Sequence, residues 1–274
     1  MSVLISASEL LAAHHSRMVL LDVRWALSDK RGHANYLDGH LPGAVFVDLE
    51  SELADPPSAA EGRHPLPSLQ RLQAAARRWG IHDGDRIVAY DATGGLAAAR
   101  AWWLLRWGGL ADVRLLDGGL DAWLRAGGPV ETGDVVRERG DVTLTGGGMP
   151  VLSIDQAARL PSSGLLLDAR AGERYRGEVE PVDARAGHVP GALSAPTTEN
   201  LAADRTFRPA AELAERFATL GVQPGATVGV YCGSGVTAAH EIVALAVAGI
   251  DAALWPGSWS QWSADPTRPA ATGG

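Results

Sequence analysis

Short apolar runs alternate along the chain with longer segments whose apolar residues recur at helical spacing. In the second half, strands are predicted at residues 165–168, 227–231 and 253–255. Helices are predicted between and around them, at residues 154–160, 209–220 and 236–248. Continuous apolar strands separated by helices are typical of a parallel sheet with helices on both faces. The pattern therefore predicts an α/β fold.

The chain also repeats its own sequence. The run L-L-D-x-R occurs at residues 20–24 and 166–170, and G-H-[LV]-P-G-A occurs at residues 39–44 and 187–192. Matching segments stay roughly 140 to 148 residues apart along the 274-residue chain, which is long enough for two domains. We interpret the chain as two tandem copies of one α/β domain, each with a mainly parallel sheet. The expected division is residues 1–130, a linker at 131–148, and residues 149–274.

Composition narrows the class of protein. A hydrophobic fraction of 46% with 20% charged residues is typical of a globular protein. The net charge of −8, without a basic run, argues against nucleic acid as a partner, and no apolar stretch approaches a membrane span. Residues 1–15 lack the pattern of a signal peptide. The lone cysteine excludes an internal disulfide and a multi-cysteine zinc site, so we expect a cytoplasmic protein without a bound metal.

That lone cysteine, Cys232, follows a predicted strand and opens the turn C-G-S-G-V-T-A at residues 232–238. A predicted helix comes next, so the thiol would face backbone amides and the positive end of a helix, which favour the thiolate. A lone cysteine is more often a small buried hydrophobe. The flanking Gly233 and Gly235 instead suit a tight loop with inward amides. Both interpretations are open on the local sequence.

The first copy separates the two interpretations. Asp91 stands where Cys232 stands, and a carboxylate cannot carry a transferable sulfur atom. The difference favours a reactive Cys232 and a catalytically silent first copy.

The D-x-R segment, the G-H-x-P-G-A segment of both halves and the C-G-S-G-V-T-A loop together resemble the tandem-domain rhodanese family of sulfurtransferases, over essentially the whole chain. The resemblance is closest to the 3-mercaptopyruvate sulfurtransferase subclass. It implies a silent first domain, an active second domain and a two-step reaction. Cys232 would take a sulfane sulfur from a small-molecule donor as a persulfide. A small thiol, cyanide or a thioredoxin-like protein would then accept it.

The anionic persulfide can be held by loop amides without a cofactor. The loop residues are Gly233, Ser234, Gly235, Val236, Thr237 and Ala238. Thr237 would cap the following helix, and the Ser234 hydroxyl would contact the donor. Because no basic residue follows Cys232, the loop favours 3-mercaptopyruvate, with one carboxylate, over the thiosulfate dianion. Transfer from thiosulfate to cyanide is the alternative.

A carboxylate donor calls for an arginine, whose planar fork binds it in bidentate fashion. By resemblance, Arg174 falls on the substrate-binding arginine of the family, and Arg185 is the second candidate. The resemblance also implies a first-domain histidine and aspartate near the loop serine. His40 and Asp29 would then form a relay with Ser234, although His40 lies in a motif shared by both copies and can equally be a structural turn residue.

Two other classes of function compete with this interpretation. A phosphatase of the Cys-x5-Arg type needs an arginine where this chain has Ala238, which argues against that activity. A non-catalytic rhodanese-like module for sulfur sensing or protein interaction stays open, because it could retain the same loop.

Overall fold

The computed structural model describes residues 2–13, 18–27 and 29–274, and its contacts divide the chain into two compact units. Unit 1 comprises Met1–Asp55, Pro67–Met149 and Ala203–Phe207. Unit 2 comprises Pro56–Leu66, Pro150–Ala202 and Arg208–Gly274. Residues 131–148, expected as a linker, are therefore grouped with unit 1. The segment Pro56–Leu66, which precedes a helix of unit 1 in the sequence, is grouped with unit 2.

Unit 1 is built around a parallel sheet. Its strands are β1 (Leu4–Ile5), β2 (Met18–Asp22), β3 (Val45–Phe46), β4 (Arg86–Tyr90) and β5 (Val113–Leu116). Its helices are α1 (Ala7–Ala12), α2 (Gly32–Asp38), α3 (Leu49–Glu52), α4 (Leu69–Arg78), α5 (Ala98–Trp107) and α6 (Gly119–Arg125). The strand order is β1-β5-β4-β2-β3, and these five strands pair with one another in parallel. All residues of β2 are buried, as expected for a strand covered on both faces.

Unit 2 repeats this plan with a shorter sheet. Its strands are β6 (Leu165–Asp168), β7 (Leu193–Ser194), β8 (Val228–Tyr231) and β9 (Ala253–Leu254). Its helices are α7 (Ile154–Arg159), α8 (Gly172–Tyr175), α9 (Ala210–Thr219), α10 (Thr237–Val247) and α11 (Ser258–Ala264), with 3-10 turns at Leu160–Ser162 and Thr197–Asn200. The order of the described strands is β7-β6-β8-β9, again parallel throughout. The predicted fold class, two α/β domains with mainly parallel sheets, is confirmed.

The repeated motifs form the same local structure in each unit. The Asp22 carboxylate pairs with Arg24, and the Asp168 carboxylate pairs with Arg170, in both cases through two guanidinium nitrogens. His188 Nδ1 lies 2.7 Å from the carbonyl oxygen of Tyr175, and the rings of the two residues stack. These buried contacts hold the loops after β2 and β6 in place, so the repeated residues that make them are structural.

None of the described helices has the length and apolar character needed to cross a membrane.

Candidate functional site

Cys232 lies directly after β8, at the carboxyl edge of the unit 2 sheet, where parallel α/β sheets place their ligands. Only 1% of its surface is exposed. The Gly235 amide donates a hydrogen bond to Sγ at 3.1 Å. Gly235 has φ +77°, and a Cβ there would stand 2.5 Å from the Pro256 carbonyl oxygen, so only glycine fits this close turn. The turn therefore presents an amide to the sulfur, as predicted from the flanking glycines.

Helix α11 fixes the backbone of the cysteine. The Cys232 amide donates to Ser258 Oγ at 3.2 Å, and the Cys232 carbonyl accepts from the Trp259 amide at 2.9 Å. Ser258 is fully buried and has φ +53°, in the left-handed region that costs a non-glycine residue about 1–2 kcal/mol. Gly119 holds the matching conformation in unit 1. The serine retains a strained backbone at the point where its hydroxyl meets the cysteine amide, which is a pattern associated with functional sites.

Unit 1 shows what the equivalent loop binds. The Asp91 carboxylate accepts hydrogen bonds of 2.8–3.0 Å from the backbone amides of Thr93, Gly95, Ala97 and Ala98. Hydrogen bonds from amides to an ionised acceptor are about twice as strong as neutral ones. In this copy the residue at the cysteine position is itself the anion, and the ring of amides is filled by it. The loop of this fold is thus suited to hold negative charge.

We expect Asp91→Ala to lower the free energy of unfolding by about 2–4 kcal/mol, because buried amides would lose their acceptor. Asp91→Asn should cost less, since its carbonyl oxygen can still accept from part of the ring. Urea denaturation followed by circular dichroism measures both values. Equal stability of Asp91→Ala and the wild type would contradict the structural role of this carboxylate.

In unit 2, the loop serine has a histidine partner. Ser234 Oγ lies 2.7 Å from His64 Nδ1, and both residues are almost completely buried, at 6% and 2% exposure. His64 belongs to the segment Pro56–Leu66. This segment is attached to α11 because the Arg63 amide donates to Ser260 Oγ and the Gln261 side chain donates to the Ala60 carbonyl. A buried Ser–His pair next to a thiol can transfer a proton during a reaction at that thiol.

Two arginines lie beside Gly233, the loop residue between Cys232 and Ser234. A Cβ built on Gly233 would stand 3.2 Å from Arg63 Nη2 and 3.4 Å from Arg174 Nη1. Asp183 pairs with Nη1 of Arg63 and with Nη2 of Arg174, and Glu180 accepts from Arg174 Nη2 at 2.6 Å. Burial alone would raise the pKa of Glu180, but hydrogen bonds from the Asp183 amide and from Arg174 hold it below its ordinary value. Arg174, the predicted substrate arginine, therefore lies beside the loop.

Arg185, the second predicted donor ligand, has its guanidinium bonded to other groups, which argues against this prediction. Its guanidinium donates to four backbone carbonyls at the carboxyl end of α11 and beyond, those of Trp262, Ser263, Asp265 and Arg268. All three guanidinium nitrogens of Arg185 donate to backbone carbonyls and hold that chain segment in place. No edge of the guanidinium is left to bind a carboxylate in bidentate fashion.

His40, the predicted relay histidine, also has other partners. His40 Nδ1 lies 2.9 Å from the Tyr36 carbonyl, and its ring stacks on Tyr36, as His188 does on Tyr175. Asp29 is a half-exposed partner of Arg31. The histidine bonded to Ser234 is His64 instead. The structural role of the shared motif accounts for His40.

Thr237 does not cap α10 as predicted. Val236 occupies the N-cap position and makes no side-chain capping hydrogen bond, and Thr237 is the first helical residue. Among the described residues, no cluster of histidine, cysteine, aspartate and glutamate side chains is arranged to hold a metal ion.

The sequence alone did not identify Arg63 and His64, because they lie in the stretch 55–67, outside every repeated motif. Residues 56–61 of this stretch are exposed, but Gly62, His64 and Pro65 are buried. One signal in the sequence could have identified them. The stretch is largely absent from the second copy, and an insertion found in one copy of a repeat, ending in R-H-P, is a candidate for function.

The chain matches the Rhodanese-like domain family twice, over residues 6–126 and 153–265. The chain belongs to the rhodanese family. The predicted tandem arrangement is therefore confirmed.

Relatives of this rhodanese carry two kinds of name. SseB of Mycobacterium tuberculosis, named as a candidate thiosulfate sulfurtransferase, is 52% identical over 99% of this chain and 97% of its own. A Pseudomonas aeruginosa protein named as a candidate 3-mercaptopyruvate sulfurtransferase is 47% identical over 93% of each chain. The crystal structure of SseA from Escherichia coli, described as a 3-mercaptopyruvate sulfotransferase of rhodanese fold, superposes with a TM-score of 0.83 at 31% identity, covering 95% of this chain and 100% of that one.

Proposed function

We propose that this rhodanese is a sulfurtransferase that moves a sulfane sulfur from 3-mercaptopyruvate, through a persulfide on Cys232, to a thiol or cyanide. The observation that carries the proposal is the Sγ of Cys232 in hydrogen-bond contact with a loop amide, at a position where the sister loop encloses a carboxylate. Activity of the sulfurtransferase class agrees with the names of relatives that span nearly the whole chain.

The first step requires an anion at sulfur and a proton for the product. The Cys232 thiolate attacks the sulfur of 3-mercaptopyruvate and forms the S–S bond, while the carbon–sulfur bond breaks and its electron pair passes to the enolate of pyruvate. One proton converts that enolate into pyruvate. In the second step an acceptor such as cyanide attacks the outer sulfur, the S–S bond breaks, and the thiolate is restored. No external oxidant or reductant is needed.

The His64–Ser234 pair supports the choice of donor. Its 2.7 Å contact provides a hydroxyl and an imidazole beside the thiol, and both can donate or accept the proton that the enolate needs. Thiosulfate needs no such proton, because sulfite leaves as a stable anion. In an enzyme that used only thiosulfate as donor, the His64–Ser234 pair would have no proton to transfer.

Charge near the loop supports the same choice. Arg63 and Arg174 are the guanidinium groups beside Gly233, and they are balanced by the carboxylates of Asp183 and Glu180. A cluster that is neutral as a whole can bind one carboxylate through hydrogen bonds, but it gives little electrostatic compensation for a dianion. Thiosulfate is the alternative donor, favoured by the name of the relative at 52% identity.

We expect the purified protein to form thiocyanate from cyanide with both donors, with a kcat/KM at least about tenfold higher for 3-mercaptopyruvate, which equals about 1.4 kcal/mol. Colorimetric assay of thiocyanate, run with each donor at equal ionic strength, measures the ratio. Absence of product with both donors would contradict the proposed activity and favour a sulfur-sensing or interaction module. A ratio in favour of thiosulfate would overturn the donor.

The acceptor and the compartment complete the proposal. A persulfide is discharged by thiols, so a small thiol or a thioredoxin-like protein is the proposed acceptor. A reactive lone cysteine requires surroundings that keep thiols reduced, and we therefore propose the cytoplasm.

A further inference from the structure

We propose that Asp183 and Glu180 determine donor specificity by cancelling the positive charge beside the loop 232–238. A donor with one carboxylate is thereby favoured over a dianion. This role rests on the proposed function and deepens it, because it assigns the choice between 3-mercaptopyruvate and thiosulfate to two residues outside the loop. The loop sequence by itself shows only that no basic residue follows Cys232.

Both acids lie on a segment that is longer in unit 2 than in unit 1. The tyrosine that stacks on the turn histidine precedes it by four residues in unit 1 and by thirteen in unit 2. The additional residues of unit 2 lie between Tyr175 and His188 and include Glu180 and Asp183. The stacked pair forms without them in unit 1, so the structural motif does not require this extension. It accompanies the reactive cysteine instead.

Glu180 connects the extension to the structural D-x-R motif. Its carboxylate accepts hydrogen bonds from two backbone amides of the following turn, including that of Asp183 at 3.0 Å. Its other oxygen lies 3.4 Å from Arg170 Nη1. In unit 1 the corresponding nitrogen of Arg24 donates to the Asn35 carbonyl instead. Glu180 therefore adds a carboxylate to the motif in unit 2 and fixes the turn that presents Asp183.

The two carboxylates face the two guanidinium groups beside Gly233. One Asp183 oxygen pairs with Arg63 Nη1, and the other lies 3.2 Å from Arg174 Nη2. Glu180 Oε1 lies 2.6 Å from the same nitrogen of Arg174. Both acidic side chains are only 4% exposed, so water screens their charges little. Arginine stays protonated in proteins, and these four side chains together carry no net charge.

Neutrality discriminates between donors by their charge. Removing one carboxylate charge changes the interaction energy in proportion to the charge of the bound anion, so a dianion gains about twice as much as a monoanion. Arg63 and Asp183 line a cavity of about 360 Å³. Because Arg63 is 24% exposed, an anion reaches the cluster from solvent. The acids therefore act where a donor first meets the arginines.

The test compares kcat/KM for thiosulfate and 3-mercaptopyruvate at equal, low ionic strength. Asp183→Asn should raise the ratio of thiosulfate to 3-mercaptopyruvate by about tenfold or more, because the cluster gains one positive charge. Glu180→Gln should shift the ratio in the same direction. Asp155→Asn removes an exposed carboxylate paired with Arg268, and as the matched control it should change the ratio by less than about twofold.

Asp183→Glu separates charge from position. It keeps the negative charge and displaces the carboxylate, so the donor ratio should stay within about threefold of the wild type even where both rates fall. A carboxylate that only holds the arginines in place predicts equal losses with both donors in Asp183→Asn and in Asp183→Glu. Equal losses would overturn the role in specificity. If Asp183→Asn does not fold, an unchanged ratio in Glu180→Gln overturns it.

A binding measurement distinguishes failure of this role from failure of the proposed function. Titration calorimetry in the Cys232→Ser background uses thiosulfate as the dianion and pyruvate as the monoanion. Adding Asp183→Asn should strengthen thiosulfate binding several-fold more than pyruvate binding. That result, in a protein whose wild-type form transfers no sulfur, would remove the function and leave the charge selection. Sulfur transfer from 3-mercaptopyruvate, with relative affinities indifferent to Asp183, would do the reverse.

Discussion

Cys232→Ser should abolish sulfur transfer from every donor to every acceptor. A serine oxygen can accept a hydrogen bond from the Gly235 amide, but it cannot form or release a persulfide. Turnover should therefore fall to the uncatalysed background, while the free energy of unfolding changes by only about 1 kcal/mol, as is usual for a substitution that leaves packing and hydrogen bonds in place. Thiocyanate formation and urea denaturation measure the two effects.

Mass spectrometry gives an independent view of the same step. Wild-type protein incubated with donor alone should gain the mass of one sulfur atom, located on the peptide that contains Cys232, and should lose it on addition of cyanide. Retained turnover in the serine variant, or a wild-type protein that never gains sulfur, would contradict the persulfide mechanism.

His64→Gln should lower turnover with 3-mercaptopyruvate by about 100-fold or more, which is the usual contribution of a positioned acid–base residue. Turnover with thiosulfate should stay within about threefold of the wild type, because sulfite needs no proton to leave. The difference follows from the 2.7 Å contact between His64 Nδ1 and Ser234 Oγ. Steady-state kinetics with both donors measures it.

Ser234→Ala is the matched control for the histidine. Because the two side chains act as one unit, the double variant should lose no more activity with 3-mercaptopyruvate than the less active single variant. Additive losses would indicate two independent roles. Equal losses with both donors would show that His64 supports the loop instead of serving a proton. His188→Gln, at a turn histidine bonded to Tyr175, reports the effect of losing a structural histidine.

Much of the fold could be predicted because its determinants are local. The apolar runs of β6 and β8 and the spacing of α9 follow from periodicity, and the observed bounds differ from the expected ones by a residue or so. The location of Cys232 after β8 also followed from its own neighbours in the sequence. Comparison of the two copies then distinguished Cys232 from Asp91.

The rest of the site depends on contacts between residues far apart in the chain. His64 and Ser234 are 170 positions apart, and no periodicity or spacing connects them. Arg185 was a reasonable candidate by position, yet which carbonyls surround a guanidinium is decided by tertiary packing. His40 was selected by a motif, whereas His64 lies in a Pro- and Gly-containing stretch without one. Local sequence identifies a nucleophile more readily than it identifies the groups that assist it.

The membership of Pro56–Leu66 in unit 2 has a consequence for any attempt to divide this chain. A fragment beginning at residue 149 would keep Cys232 and Arg174 but lack His64, the partner of Ser234. We therefore expect such a fragment, even when folded, to transfer sulfur from 3-mercaptopyruvate more slowly than the whole chain. The repeat boundary in the sequence is thus not the boundary of the functional unit.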